Sequence, residues 1–353
     1  MKRRKEHMSK NRFFKAITVL AVVLLAATSL YAGDKSRIGT AAAPQLQIPV
    51  GGRNFAMAGS DIAGTEGVDA IYWNPAGLSQ VYGGSIDFST MSYLGDAGIQ
   101  VNYLAGAYNV GFGVLGVSFQ SIDVGDIPLT TNDDPLNESG ASYTVDYTTL
   151  GITYANKFSD AISFGVSVKY LTESVPRASA EAIMFDFGLQ YRNVAGISNL
   201  DFGIAAKNIG TDMEYSGTGL QRQGSLDGSV IPEYFYQIPT ESFTLPANYQ
   251  LGLSYNMRFS EGNALKLAGT FVSENLDSDR VLFGGEFTFM DLAMLRLGYS
   301  LYPDYNEEQT VKGFVGGLGL KYGLGGFVLR VDYVYEDMKY LGPNHLFNVG
   351  FDF

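Results

Sequence analysis

The sequence has no cysteine, two histidines and one tryptophan, and beyond the first 30 residues it has no apolar run approaching 18 residues. Each scarcity removes a class of answer. Without cysteine there are no disulfides, and no thiol to carry a lipid anchor, so stability rests on the fold alone. Without long apolar runs there are no helical membrane spans. His7 lies in a basic leader, which leaves His345 as the one imidazole base and excludes a cluster of imidazole metal ligands. No catalytic residue, metal or cofactor is expected. Basic side chains are scarce as well, 24 Lys and Arg against 36 Asp and Glu, for a net charge of -12. Nucleic acid, whose binding depends on neutralising phosphates, is not an expected partner.

What is present begins with an address. Residues 1–15 carry seven basic side chains and one acid, Ala16 to Leu30 is a 15-residue apolar run, and small residues follow. That order predicts a secretory signal cleaved after Ala32, the run being shorter than the ~20 residues of a spanning helix. Removing residues 1–32 leaves 17 basic against 35 acidic side chains, a net charge of -18. The remaining chain divides into an N-terminal extension at 33–81 and a strand-rich region at 82–353 with no linker between them.

From Tyr82 onward apolar and polar residues alternate with a period of two, the signature of half-buried strands. In Ser163–Tyr170, Phe164, Val166, Val168 and Tyr170 alternate with Ser163, Gly165, Ser167 and Lys169; Tyr249–Phe259 and Phe327–Tyr335 repeat the pattern. A soluble sandwich also alternates. Three details favour a membrane barrel. The segments run to about 10–14 residues, against ~5–6 in globular strands. The polar face mixes glycine with charges of both signs, such as Asp186 and Arg192, Asp201 and Lys207, Arg330 and Asp332. And 23 tyrosines and 23 phenylalanines recur near segment ends, like interfacial girdles.

The expected strands lie near 82–93, 98–108, 111–122, 142–158, 161–175, 180–193, 199–210, 246–259, 262–274, 279–289, 292–302, 311–323, 325–337 and 344–353. Their connections alternate between short turns and long loops, the longest being Thr211 to Leu245, as in an outer-membrane barrel with both termini in the periplasm. The fold expected is therefore an all-β transmembrane antiparallel barrel of about 14 strands. The last strand ends on Phe351 and Phe353 and looks like the C-terminal signal read by the outer-membrane barrel assembly machinery, which with outer-membrane lipid is an expected partner.

The extension carries "GGRNFAMAGSDIA" and "AIYWNPAGL", and the strand region carries "KNIGTDMEY", "LPANYQLGLSY", "LRLGYSLYP" and "GGLGLKYG". On these motifs, over nearly the whole exported chain, the protein resembles the PorV/PorQ family within the FadL-like superfamily of outer-membrane barrels. The resemblance implies a small hatch in the lumen, with Asn74, Pro75 and Ala76 matching the hatch "NPA" element. Trp73, Asn74, Pro75, Ala76 and Gly77 are accordingly candidates for a gate, or for a turn that merely seats the hatch, Asn-Pro being a common turn pair. Trp73 reads equally as a packing anchor.

The resemblance implies docking or shuttle work in surface protein export of the type IX kind, with secreted cargo and other secretion components as partners. Tyr234, Phe235, Tyr236 and Phe243 in the long loop are the candidates for cargo or ligand contact, unless their rings fold inward. The alternative is FadL-like passage of hydrophobic small molecules. In that reading Gly284, Gly285, Gly316 and Gly317 mark a kink in the wall or make room for bulky lumen groups. A third reading makes the barrel an anchor for partners. Asp133, Asp134 and Glu138 read as a solvated acidic loop or a calcium site without the order of an EF-hand.

Overall fold

A computed structural model describes residues 37–224, 234–305, 310–311 and 313–353. The expected leader, residues 1–32, lies outside the described residues. In chain order the strands are β1 (Gly84–Tyr93), β2 (Ile99–Asn109), β3 (Val114–Asp123), β4 (Ile127–Pro128), β5 (Ser142–Tyr143), β6 (Asp146–Lys157), β7 (Ile162–Val175), β8 (Ala178–Tyr191) and β9 (Leu200–Gly210). They continue as β10 (Gln221–Gly224), β11 (Tyr234–Gln237), β12 (Asn248–Ser260), β13 (Asn263–Glu274), β14 (Arg280–Phe289), β15 (Ala293–Leu301), β16 (Phe314–Leu324), β17 (Phe327–Glu336) and β18 (Asn344–Asp352).

Fourteen of these close into one antiparallel barrel, sealed where β1 meets β18 from the Ser85–Asp352 pair to Ser92–His345. Closure pairs every wall strand on both sides, which lipid demands because it offers no hydrogen bonds to a free edge. The chain end adds to the seam, Gly84 N–H donating to the Phe353 carbonyl at 2.8 Å and Phe353 N–H to that of Gly84 at 2.9 Å. The other four strands form two small hairpins in the long loops, β4 with β5 and β10 with β11. The expected strand at 142–158 is thus two elements, because Ser142 and Tyr143 turn away to pair with Pro128 and Ile127 before the wall resumes at Asp146.

The period-two pattern sorts side chains as expected. On β1, Ile86 and Phe88 face outward while Asp87 and Ser89 are buried inside. Outward apolar residues such as Leu104, Ile152, Phe187, Leu297, Leu318 and Phe347 form the belt, and Tyr82, Tyr108, Phe112, Phe158 and Phe327 ring its short-turn end.

Residues 37–81 thread the lumen from end to end. Asn109 N–H donates to the Gly83 carbonyl at the short-turn end, whereas Ala42 N–H donates to that of Thr244 beneath the longest loop. Near that loop Ala43 and Leu46 pack on Leu171, Ala182, Met184, Met213 and Leu245. Lower down, Phe55, Val68, Ile71 and Trp73 share an apolar core with Met91, Val101, Tyr103, Val315 and Leu346.

The lower part of this segment rests on glycines. A Cβ added to Gly165 would come within 2.3 Å of the Pro75 carbonyl, and one on Gly188 within 2.1 Å of Asn74 Oδ1. Gly203, Gly252, Gly284, Gly298 and Gly317 likewise abut Ala63, Ile62, Ser60, Ala58 and Ala56. These positions are spread over β7, β8, β9, β12, β14, β15 and β16, so close backbone approach surrounds the segment on most sides. The expectation of a glycine kink is not met. The registers of β14 and β16 run unbroken, Gly284 and Gly317 face the inner segment, and Gly285 and Gly316 stand among Leu267 and Leu297 on the outer face.

Gly165→Ala and Gly188→Ala should each lower stability by about 1–3 kcal/mol through overpacking. Gly285→Ala, whose new methyl meets nothing nearer than 3.6 Å, should be near neutral. Thermal midpoints of heat-modifiable gel migration measure this, and equal midpoints for the three variants would refute the seat.

Candidate functional site

The inner segment turns at the stretch singled out in the sequence. A four-residue helix, Ala70–Trp73, stops at Asn74, whose extended backbone (φ -155°) opens a 3-10 turn over Pro75–Gln80. Proline suits the first position because its missing N–H has no partner there anyway. The Asn74 side chain is fully buried and answers in both directions. Its Oδ1 accepts from Ala76 N–H at 3.2 Å, and its Nδ2 donates to the carbonyls of Ile62 at 2.8 Å and of Leu189 and Ile204 at 3.3 Å. One amide therefore ties the turn to its own segment and to β8 and β9. Pro75 and Ala76 lie on Gly165, and a Cβ on Gly77 would meet the Thr65 carbonyl at 2.2 Å.

Trp73 anchors the segment internally. Its Nε1 donates to the Val50 carbonyl at 3.1 Å, its ring covers Gly59, and Tyr72 meets it edge-on at 4.9 Å. The Tyr72 hydroxyl donates to the carbonyls of Ile48 at 2.9 Å and Leu46 at 3.3 Å. The strip from Leu46 to Val50 is thereby held to the short helix.

Opposite the amide of Asn74, the segment is bound to the wall by charge. Arg53 meets Glu286 with two parallel bonds of 3.0 Å, and Glu286 also accepts from Arg296 Nε at 2.6 Å. Arg296, 1% exposed, continues to Asp332 at 2.5 Å, and Asn348 donates to the other oxygen of Asp332 at 3.2 Å. Asp61 is held by Lys266 at 3.1 Å, with Arg53 at 3.7 Å. A second group joins Arg330 to Asp87 at 2.6 Å and to Asp352 at 2.9 Å. Removing one member of such a network strands its partner as a buried charge. Arg53 stood inside a quoted motif, but nothing local to it marked the partner 233 residues away.

Asp69 lies at the edge of this network, buried, with no side-chain donor within hydrogen-bonding distance among the described residues. Burial, reinforced by Asp332, pushes its carboxyl above the ordinary range, against the pull of Arg330 and Arg53. The folded form thus holds its proton to higher pH than the unfolded chain, so its contribution favours folding at low pH and falls as pH rises through the folded value.

Two small cavities flank the segment. One, of about 50 Å³, is bounded by Leu46, Phe55, Tyr72, Trp73, Lys207, Asn248, Gln250, Arg280, Ser300 and Glu336 among others. The other, of about 20 Å³, is bounded by Leu46, Ile71, Tyr72, Tyr103, Gln120, Thr153, Ser167, Lys169 and Asp186 among others. Lys207 reaches the first because β8 and β9 are out of register between Phe185 and Phe187, a bulge that turns Lys207 and Asn208 inward side by side. The charges that alternation alone set together pair differently. Asp186 binds Lys169 at 2.7 Å, Arg192 reaches Glu66 at 3.5 Å, and Lys207 lies over the rings of Tyr72 at 3.7 Å and Trp73 at 5.5 Å.

The remaining candidates lie apart from the lumen. β11 carries Tyr234, Phe235 and Tyr236; Phe235 is 73% and Tyr236 52% exposed, and Phe243, bridged to Met213, is partly exposed, while the Tyr234 side chain lies outside the described residues. Phe351 and Phe353 point outward. His345 is within β18, its Nδ1 2.8 Å from the Tyr333 hydroxyl in an outward aromatic row with Phe347. Asp134 closes its own loop, accepting from the backbone N–H groups of Glu138 at 2.7 Å and Ser139 at 3.0 Å.

Arg53→Met should cost about 3–5 kcal/mol by leaving Glu286 and Asp61 short of a partner. Asp69→Asn should leave stability unchanged or raise it, and should flatten the fall in stability as pH rises above the ordinary carboxylate range. Denaturation of the detergent-solubilised variants across that pH range checks both, and a marked loss in Asp69→Asn would contradict the reading of this carboxyl.

No family model and no curated protein matches the sequence. Among solved structures the chain is similar to the Pseudomonas putida toluene transporter TodX, with a TM-score of 0.50 at 13% identity over 84% of this chain and 96% of that one. The deltaS2S3 mutant of TodX, a monoaromatic hydrocarbon channel, gives 0.52 at 13% identity over 86% and 97%. A Pseudomonas aeruginosa FadL homologue gives 0.44 at 10% identity over 84% and 96%. At these identities the likeness speaks to the fold alone, and nothing in it bears on the PorV/PorQ resemblance. The chain is a closed 14-stranded antiparallel barrel, the fold it shares with the toluene transporter TodX.

Proposed function

We propose that the protein is a FadL-like outer-membrane channel for small molecules, seen in its closed form, rather than an enzyme. The observation that carries this reading is the division of the inner segment into a fixed and a movable part. Residues 51–81 are seated on wall glycines, held by Asn74 and bound by Arg53 to Glu286. Residues 42–50 hold on by fewer polar contacts to the wall, through the Ala42–Thr244 bond and the Gln45–Glu173 contact, and have a cavity on either side. Displacing that upper strip opens the lumen from the long-loop end while the lower seat stays in place. In this reading Trp73, Asn74, Pro75, Ala76 and Gly77 are the fixed part of the gate. Hydrocarbon passage is named for the solved neighbours and is the first chemistry to try here.

A second reading, docking of secreted cargo at the outer mouth as in type IX-like export, draws on the β10–β11 hairpin, on which Phe235 and Tyr236 are exposed. Exposed aromatic side chains of this kind are common interface anchors.

Cells expressing the protein in an outer membrane that resists hydrocarbons should take up labelled toluene several-fold faster than vector controls, and deletion of residues 37–50 should raise the rate further. Uptake unchanged by expression of a folded barrel would reject the channel. Replacing Gln221–Gln237 with a short Gly-Ser link should leave uptake intact but abolish delivery of surface proteins if docking is its work; normal delivery would reject docking.

A further inference from the structure

The outward face of the wall is not apolar to the same height all round. The strand registers set Phe88, Leu104, Phe119 and Leu150 in one row across β1, β2, β3 and β6, and all four are exposed on the outer face. The next outward row toward the long loops is Thr90, Asn102, Ser121 and Thr148, polar throughout. Above it lie Ser92, Gln100, Asp123 and Asp146, the two carboxylates directly opposite each other. Across the lumen the pattern is different. Outward positions from Tyr249 to Phe259 on β12 and from Phe314 to Leu324 on β16 hold only tyrosine and apolar residues.

Counted from the short-turn end of each strand, Phe88 stands four residues up and Leu104 and Phe119 five, whereas Tyr249 stands eleven up and Phe314 ten. A strand residue advances about 3.3 Å, or about 2.5 Å along the membrane normal at the tilt of such barrels. The apolar face is therefore about 10–13 Å tall along β1–β3 and about 25–28 Å tall opposite, the second being the usual height of the band. Tilting the barrel does not remove the difference, because it moves both edges of the short face together. Thr90 Oγ1 donates to Asn102 Oδ1 at 2.8 Å, but the amide and hydroxyls of this row keep further donors and acceptors that acyl chains cannot answer. Fitting the bilayer to a shorter wall costs less than desolvating such a row. Asp123 and Asp146 weigh against a dry protein partner, since covering two facing carboxylates leaves like charges without water.

We propose that the membrane is thinned along β1–β3, where lipid headgroups and water, in place of acyl chains, meet Thr90, Asn102 and Ser121. The sector adjoins the β1–β18 seam, and across the lumen the membrane keeps its full thickness. This surface is a property of the wall and is independent of what the channel carries.

The chain has no cysteine, so single-cysteine variants each report on one position. Thr90→Cys, Asn102→Cys and Ser121→Cys are placed in dioleoylphosphatidylcholine nanodiscs and treated with a polyethylene-glycol maleimide, with heat-modifiable migration confirming the fold. Ser139→Cys, in an exposed loop, gives the rate in water. Phe283→Cys and Leu318→Cys give the rate under acyl chains, six residues above the short-turn ends of β14 and β16 as Thr90 is on β1. The three sector positions should react within about threefold of Ser139→Cys and at least about tenfold faster than Phe283→Cys and Leu318→Cys. If those two variants do not fold, the comparison with Ser139→Cys decides alone. Slow modification at the three positions would overturn the thinning, and a bismaleimide cross-link between two chains would then identify a second copy, and its absence acyl chains, as the cover. Equally rapid modification at Phe283→Cys and Leu318→Cys would remove the difference between the two sides and overturn it as well.

Discussion

Lipid offers no partner to a backbone N–H or C=O, and the rest of the structure depends on how the chain meets that constraint. Every wall strand must be paired on both sides, so the sheet has to close, and β1 must find β18 across the full length of the sequence. Closure then dictates what lies inside. One set of alternate side chains is solvated by lipid, and the other is turned into a lumen which, in this barrel, the chain's own residues 37–81 fill. Those residues bring their own polar backbone into a confined space, which is why the lumen face is made of glycines, amides and paired charges instead of an apolar core.

The two ways the inner segment is held have different physical characters. Glycine seats act through distance. Where the wall lacks a Cβ, Pro75, Ala63 and Ala58 come close enough to exclude water, and dispersion then acts over many contacts. The ion network acts through compensation. Arg296 is nearly inaccessible and is tolerable because Glu286 and Asp332 both answer it, and Arg53 attaches the segment to the same Glu286. A buried network of this kind contributes little to net stability compared with apolar packing, yet it discriminates strongly against misplacement, since any shift leaves a charge alone. The lower segment is positioned by both mechanisms, whereas the upper strip is held by apolar contacts and by the hydrogen bonds of Tyr72 and Trp73 to Leu46, Ile48 and Val50.

The wall was legible in the sequence because alternation is a local property. Fourteen segments with short and long connections yielded the strand count and bounds within a few residues of those found, and the terminal Phe347, Val349, Phe351 and Phe353 face outward as their spacing required. Elements without a period were not legible. The two-residue strands β4 and β5 and the polar strand β10 carry no repeat that marks them, and Ser142 and Tyr143 were absorbed into the strand that follows. The glycines were visible as residues, but alternation could not say which faced a hatch and which faced lipid. Gly284 and Gly285 are neighbours with opposite surroundings. Asn74 and Pro75 were found through a motif, whereas Arg53 was not, because its meaning depends on a glutamate far along the chain.

Lys207 shows why function was harder to read than fold. Strict alternation puts either Lys207 or Asn208 in the lumen, and the bulge at Asp186 puts both there. A break of one residue in the repeat therefore places Lys207 in the wall of the larger of the two cavities. The same logic separates fold from substrate in the comparison with the hydrocarbon channels. A barrel wall is constrained by lipid on its outer face and by hydrogen bonding along its strands, and neither constraint reaches the inward side chains. Chains with 13% identity can therefore share the ring while their inward side chains differ, and here those include lysine, arginine and amides. Which solute gains from entering is decided by those inward groups.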